Sequence, residues 1–126
     1  MKTSELIGPA LDWAVAKCEG YDEHEWDHEV SNMWLIRRST QTEHWLIDYF
    51  QPSTDWSQGG AIIEREDLAI GHANSGEAPE NRFGASKIGI HPWAIEAGGP
   101  TKLIAAMRCY IASKVGDEIE IPKELI

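Results

Sequence analysis

Two helix-like segments bracket the chain, and both are sharply punctuated. Gly8-Pro9 opens the first, with Pro suited to the first helical position, and Gly20 closes it. Leu11, Ala14, Val15 and Cys18 recur at helical spacing between those marks. Gly98-Gly99-Pro100-Thr101 opens the second, Gly116 closes it, and Leu103, Met107, Tyr110, Ile111 and Lys114 share one face. What lies between is richer in strand formers. Residues 30–37 and 44–50 carry Trp, Leu, Ile, Tyr and Phe, and the polar residues 38–43 suit a hairpin loop. Pro52 ends the second strand because it cannot donate to a ladder. Strands clustered between terminal helices predict an α+β fold, a small antiparallel sheet with the N-terminal and C-terminal helices packed on it.

The rest of the middle is weaker. Residues 53–60 read as a loop, and residues 61–66 read equally as one helical turn or a short strand. Residues 68–72 read as a further strand, 73–86 as a surface loop poor in large apolar groups, and 88–97 as a last edge strand broken by Pro92. Ile119 and Ile121 form a short extended tail before Pro122. At 126 residues the chain reads as a single domain, residues 1–126, long enough to bury a core without staples.

A net charge of −10 sets the electrostatics. That field repels nucleic-acid backbones and anionic membrane, so no nucleic-acid partner and no membrane partner is expected. The N-terminus has no apolar signal region and no run is long enough to span a bilayer, so the chain reads as cytoplasmic. Cys18 and Cys109 sit among small apolar neighbours in the two helices and read as buried free thiols.

Three segments resemble the NinX family of small tailed-phage accessory proteins. They are LDWAVAKCEG (11–20), PSTDWSQGGAIIERE (52–66) and GPTKLIAAMRCYIASKVGDEIEIP (99–122). They occur in the family's order and spacing, whereas 21–51 and 67–98 contribute little to the likeness. The resemblance implies a protein made inside an infected bacterium. It implies no activity.

The central segment carries the candidate ligand-binding residues: Ser53, Thr54, Asp55, Trp56, Gly59, Gly60, Glu64 and Arg65. Read structurally, Ser53 or Asp55 caps a helical turn and Trp56 packs in the core. Read functionally, Gly59 and Gly60 leave amides free to form an anion nest, Trp56 stacks on a base, Asp55 accepts from ribose hydroxyls and Arg65 forks onto phosphate. Glu64 and Arg65 also read as an ordinary surface ion pair. Six Trp is a high count; Trp13, Trp34 and Trp45 read as core, while Trp26, Trp56 and Trp93 sit near loops, where a ligand or an oligomer interface meets an aromatic.

His24-Glu25-Trp26-Asp27-His28 fits H-E-x-x-H, the zincin pattern, which makes His24 and His28 weak metal candidates. Its acidic flanks and the charge at Asp27 count against a catalytic zinc. No G-x-S-x-G elbow, P-loop or C-x-x-C is present, so no catalytic residue and no cofactor is assigned. The expectation is a non-enzymatic, homo-oligomeric protein that binds a small nucleotide-like ligand and sequesters a host immune nucleotide signal. The alternatives are an acidic interaction module that inhibits a host protein through residues 19–29, where six of eleven positions are acidic, and an H-E-x-x-H zinc hydrolase.

Overall fold

The computed structural model describes residues 1–20, 26–27, 34–39, 45–72, 79–87 and 96–121; the strands within 26–50 are described by their backbone and pairing. The fold is α+β, with helices at both ends. Helix α1 spans Gly8–Cys18, α2 Trp56–Glu66 and α3 Lys102–Val115. The strands are β1 Trp26–Asp27, β2 Trp34–Ser39, β3 Trp45–Phe50, β4 Leu68–His72, β5 Phe83–Lys87 and β6 Glu96–Gly99. They form two antiparallel sheets, β1-β2-β3 and β4-β5-β6. Each middle strand pairs with both of its sequence neighbours, which short connections favour.

Helix α3 is the centre of the molecule. Leu103 through Ile111 are all buried, so the helix is enclosed rather than laid on a surface. Thr101 caps it, its hydroxyl accepting from the Ile104 amide at 3.1 Å. Gly116 ends it at φ 88°, a left-handed conformation in which glycine has no Cβ to clash. The β4-β5-β6 sheet covers one side through Leu68 and Ala85. Helix α1 packs on another with Leu11, Ala14 and Val15; neither cysteine forms a disulfide, and Cys109 is buried as expected whereas Cys18 is only partly buried. Burial of side chains such as Leu11, Met107 and Tyr110 contributes about 1.5–3 kcal/mol each, far more than helix propensity. The chain ends are strapped together: the Thr3 amide donates to Asp117 O at 2.8 Å and the Ile119 amide to Met1 O at 3.0 Å.

Several expectations change. The first hairpin forms as predicted, but the strands divide into two sheets instead of one. Residues 56–60 are helix rather than loop, because α2 begins at Trp56. Residues 73–86 are not all loop: β5 begins at Phe83, where Phe83-Gly84-Ala85 lies flat between two neighbours. Gly98 and Gly99 belong to β6 rather than to a break. A Cβ at Gly99 would lie 2.7 Å from the Ala105 amide nitrogen, so the small residue lets α3 approach the sheet. Trp13 is core, as expected. The H-E-x-x-H histidines His24 and His28, most of the acidic tract, Trp93 and residues 88–95 lie outside the described residues, as do the side chains of Trp26, Trp34 and Trp45.

Candidate functional site

The segment from Gln51 to Glu66 is a capped helix with a built entry turn. The amides of Thr54 and Asp55 both donate to Gln51 O, at 3.1 and 2.9 Å. Asp55 then caps α2: Oδ1 accepts from the Ser57 amide at 2.8 Å and the Ser57 hydroxyl at 2.6 Å, and these bonds hold its carboxyl below the ordinary value. Gln58 reaches back to accept from the Gln51 amide at 2.7 Å. The capping explanation of Asp55 is therefore realised, and the second half of that explanation is not. Trp56 keeps 54% of its surface exposed instead of entering the core.

The eight residues do not converge. Ser53 is 2% exposed, and its amide donates to Asp12 Oδ1 at 2.9 Å. Its hydroxyl lies close enough to Asp12 to lower that carboxyl's pKa, yet has no partner in hydrogen-bond geometry. Gly59 is buried against α3. A Cβ there would strike Pro52 O and lie 2.6 Å from Leu103 Cδ2. Its amide donates to Asp55 O at 2.8 Å, so it is spent on the helix and leaves no anion nest. Gly60, also inside α2, sits under Trp56, whose Cε3 would be 3.9 Å from an added Cβ.

Arg65 is committed elsewhere. Its two terminal nitrogens fork onto Glu19 at 3.0 and 2.7 Å, and its Nε reaches Glu66 at 3.4 Å. The Glu19 bonds push its pKa further up. Glu19 also accepts from Tyr110 at 2.7 Å. Glu66 is partly desolvated, which raises its pKa, but Lys114, Lys87 and Arg65 outweigh that and lower it overall. Glu64 does not take part and stays exposed. At 1.5 Å per residue, Arg65 is roughly 13 Å along the helix from Trp56. What remains outward together is Thr54, Trp56, Gly60 and Glu64, with Asp55 beside them as cap.

Sequence reasoning missed two features. One is Asp12, which is 7% exposed on α1 and joined to the central segment through Ser53. Burial pushes its carboxyl up to about 6, and the Ser53 contacts only moderate the rise. Its place amid Leu11, Trp13 and Ala14 was the available signal. The other is a cavity of about 570 Å³ at the β4-β5-β6 sheet, lined by Gly71, Gly84, Gly98, Asn81, Ser86 and Glu96 and reaching His72 and Phe83. These residues are far apart in sequence, and only the strand register gathers them.

Buried Arg108 donates Nε to Leu6 O at 2.8 Å and Nη1 to Gly98 O at 2.9 Å, tying the N-terminal segment to β6 across α3. Burial pushes the Cys18 and Cys109 thiols up to about 11 each, which keeps both protonated. Among the described residues, no group of three or more His, Cys, Asp or Glu could hold a metal ion. Nor is any described helix long and apolar enough to cross a membrane.

A family model described as Bacteriophage P22, NinX matches residues 2–114. The chain belongs to the NinX family. That match runs from the N-terminal strap through all three helices to the last turn of α3, so family membership covers the fold as a whole. No curated protein matches the chain. The NinX family membership agrees with the resemblance carried by 11–20, 52–66 and 99–122 and makes this a phage protein.

Proposed function

We propose that this NinX-family protein binds a small nucleotide-like ligand and does not convert it. The observation that carries the reading is Trp56. An indole exposed over half its surface, lying across Gly60 on the first turn of α2, presents a flat aromatic face to solvent. A stacked base gains on the order of 1–3 kcal/mol from such a face. Glu64, two turns along the helix face of Trp56, and Thr54 and Asp55, adjacent to it in the chain, offer two carboxylates and a hydroxyl to ribose hydroxyls. In an infected cell, tight retention of a host nucleotide signal is a sufficient role and needs no catalytic group. That biological step rests on analogy between small phage proteins. The reading includes a cytoplasmic homo-oligomer, in which a second copy walls the open side of Trp56.

Calorimetric titration of a nucleotide panel against wild type and Trp56→Ala tests this. The variant is expected to bind roughly 5- to 150-fold more weakly, the equivalent of one lost stack. Ligand released from wild type should have an unchanged mass. Equal affinity for both proteins, or a ligand recovered as product, refutes the reading.

A second reading has its own observation. Trp56 is exposed beside exposed Ser57 and Ala61, and an exposed aromatic with small neighbours suits a protein partner as well as a ring. With a net charge of −10, that partner would be a basic host protein. Retention of one defined host protein by wild type and its loss on Trp56→Ala, with no nucleotide bound by either, would favour this second reading.

A further inference from the structure

The nucleotide-like reading needs a cation for phosphate, and Arg65 does not supply it. It belongs to an ion-pair cluster with Glu19 and Glu66 at the C-terminal end of α2. Helices α2 and α3 run side by side in the same direction. Gly59 meets Leu103 near their starts, and Glu66 Oε1 meets Lys114 Nζ at 3.1 Å near their ends. The cations at the far end, Arg65, Lys87 and Lys114, all have carboxylate partners.

The near end is different. Lys102, next to Leu103, places its ammonium 5.8 Å from the centre of the Phe83 ring. The Arg82 guanidinium lies 5.5 Å from the same ring. The His72 ring stacks on Phe83 with centroids 5.0 Å apart and planes tilted 40°. Arg82, Lys102 and His72 are exposed, and Phe83 is half-buried. Among the described residues, neither Arg82 nor Lys102 has a carboxylate within ion-pair distance. Two like charges at one ring repel each other, and the ring face offsets them only in part. In a chain of net charge −10, two cations brought to one ring make a local positive patch suited to an anion.

Space is available there. Phe83, His72 and Asn81 line the cavity of about 570 Å³; Arg82 and Lys102 are not among its lining residues but adjoin it through Asn81 and the Phe83 ring. Guanidinium and ammonium groups bind phosphate by charge-assisted hydrogen bonds, while Asn81 offers an amide and Glu96 accepts from hydroxyls.

We propose that Arg82 and Lys102, gathered at Phe83, are the phosphate-binding residues of this protein, and that its ligand is a phosphate-bearing nucleotide. This rests on the nucleotide-binding reading above and moves the phosphate from Arg65 to the start of α3.

The test is a set of amide chemical-shift titrations on the intact protein. The probes are adenosine, adenosine 5′-monophosphate, adenosine diphosphate ribose and a cyclic dinucleotide. Wild type is compared with Arg82→Ala, Lys102→Ala, Trp56→Ala and Arg65→Ala; Arg82 and Lys102 are exposed, so the spectra of those variants should report an intact fold. At least one phosphorylated probe should saturate shifts at Arg82, Phe83 and Lys102. Either cation variant should weaken it about tenfold or more, in line with loss of one charge-assisted contact. Adenosine should bind more weakly and be indifferent to both variants. Arg65→Ala should have no effect.

Phosphorylated probes that bind through Trp56 with unchanged affinity in Arg82→Ala and Lys102→Ala overturn this assignment and leave the ligand-binding reading standing. Shifts that depend on Arg82 and Lys102 but not on Trp56 support the phosphate site and remove the stacking role. No saturable shift with any probe overturns both.

Discussion

Replacing Asp12 by Asn removes an ionisable group from the packed middle of α1 and keeps an acceptor for the Ser53 amide 2.9 Å away. The native carboxyl is raised from 3.8 to about 6, chiefly by burial. Between those values the folded chain holds a proton that the unfolded chain has released. Stability therefore falls as pH rises from about 4 to about 6, and stays at its reduced level above that window. A shift of about two units corresponds to about 3 kcal/mol at neutral pH, and Asp12 is buried enough that solvent screening does not erase it. Asn carries no charge and escapes that cost. The carboxylate's stronger bond from Ser53 is already contained in the net shift. The expected outcome is that Asp12→Asn is about 3 kcal/mol more stable than wild type at pH 8, with the difference shrinking towards zero as pH falls from about 6 to about 4. Urea unfolding of both proteins across pH 4 to 8 measures it. Asp55 and Glu66 have lowered pKa values and lose their contribution as pH falls, but they do so in both proteins and cancel in the difference. A difference that stays flat across that range would refute the burial argument for Asp12.

The adjacent glycines of α2 should respond in opposite directions. Gly59→Ala forces a methyl against Pro52 O and Leu103 and should destabilise by about 1–3 kcal/mol, whereas Gly60→Ala meets only ordinary contact with Trp56 and should stabilise by about 0.5–1 kcal/mol through helix propensity; urea midpoints decide both. Thr101→Ala removes the hydroxyl that caps α3 and should cost about 1 kcal/mol, with Thr101→Ser restoring most of it in thermal unfolding. Buried Cys109, its thiol raised to about 11, should react with a thiol reagent at pH 8 only as fast as the protein opens and be accelerated by mild denaturant, whereas part-exposed Cys18 should react without opening, slowed only by its raised pKa.

Local rules made much of the frame legible. Gly8-Pro9 and Thr101 with Gly116 mark helices that are present where the chain punctuates them, because caps and stops act within one turn. The 34–39 and 45–50 hairpin followed from aromatic and β-branched runs of the right length. Failures came where short-range chemistry was ambiguous. The pair Gly59-Gly60 looked like a loop, yet Gly59 is required by the approach of Leu103, a residue 44 positions away. Phe83-Gly84-Ala85 looked like loop because small residues carry no periodic signal, and only pairing with β4 and β6 makes it a strand. The candidate site divided for the same reason. Asp55 as a cap was legible from local chemistry, whereas Arg65 is claimed by Glu19 across 46 residues, and the Arg82–Phe83–Lys102 cluster exists only because β5 begins beside the start of α3.

The central claim is that the protein holds a phosphate-bearing small molecule intact. Native mass spectrometry tests it most directly, on protein incubated with a small-molecule extract of infected bacteria, then desalted and measured beside its denatured mass. The account predicts an oligomer carrying an excess mass of several hundred daltons per occupied site, released unchanged on denaturation and lost in Trp56→Ala and in the Arg82→Ala, Lys102→Ala double variant. An unliganded mass under every condition, or a ligand released in altered form, would contradict it.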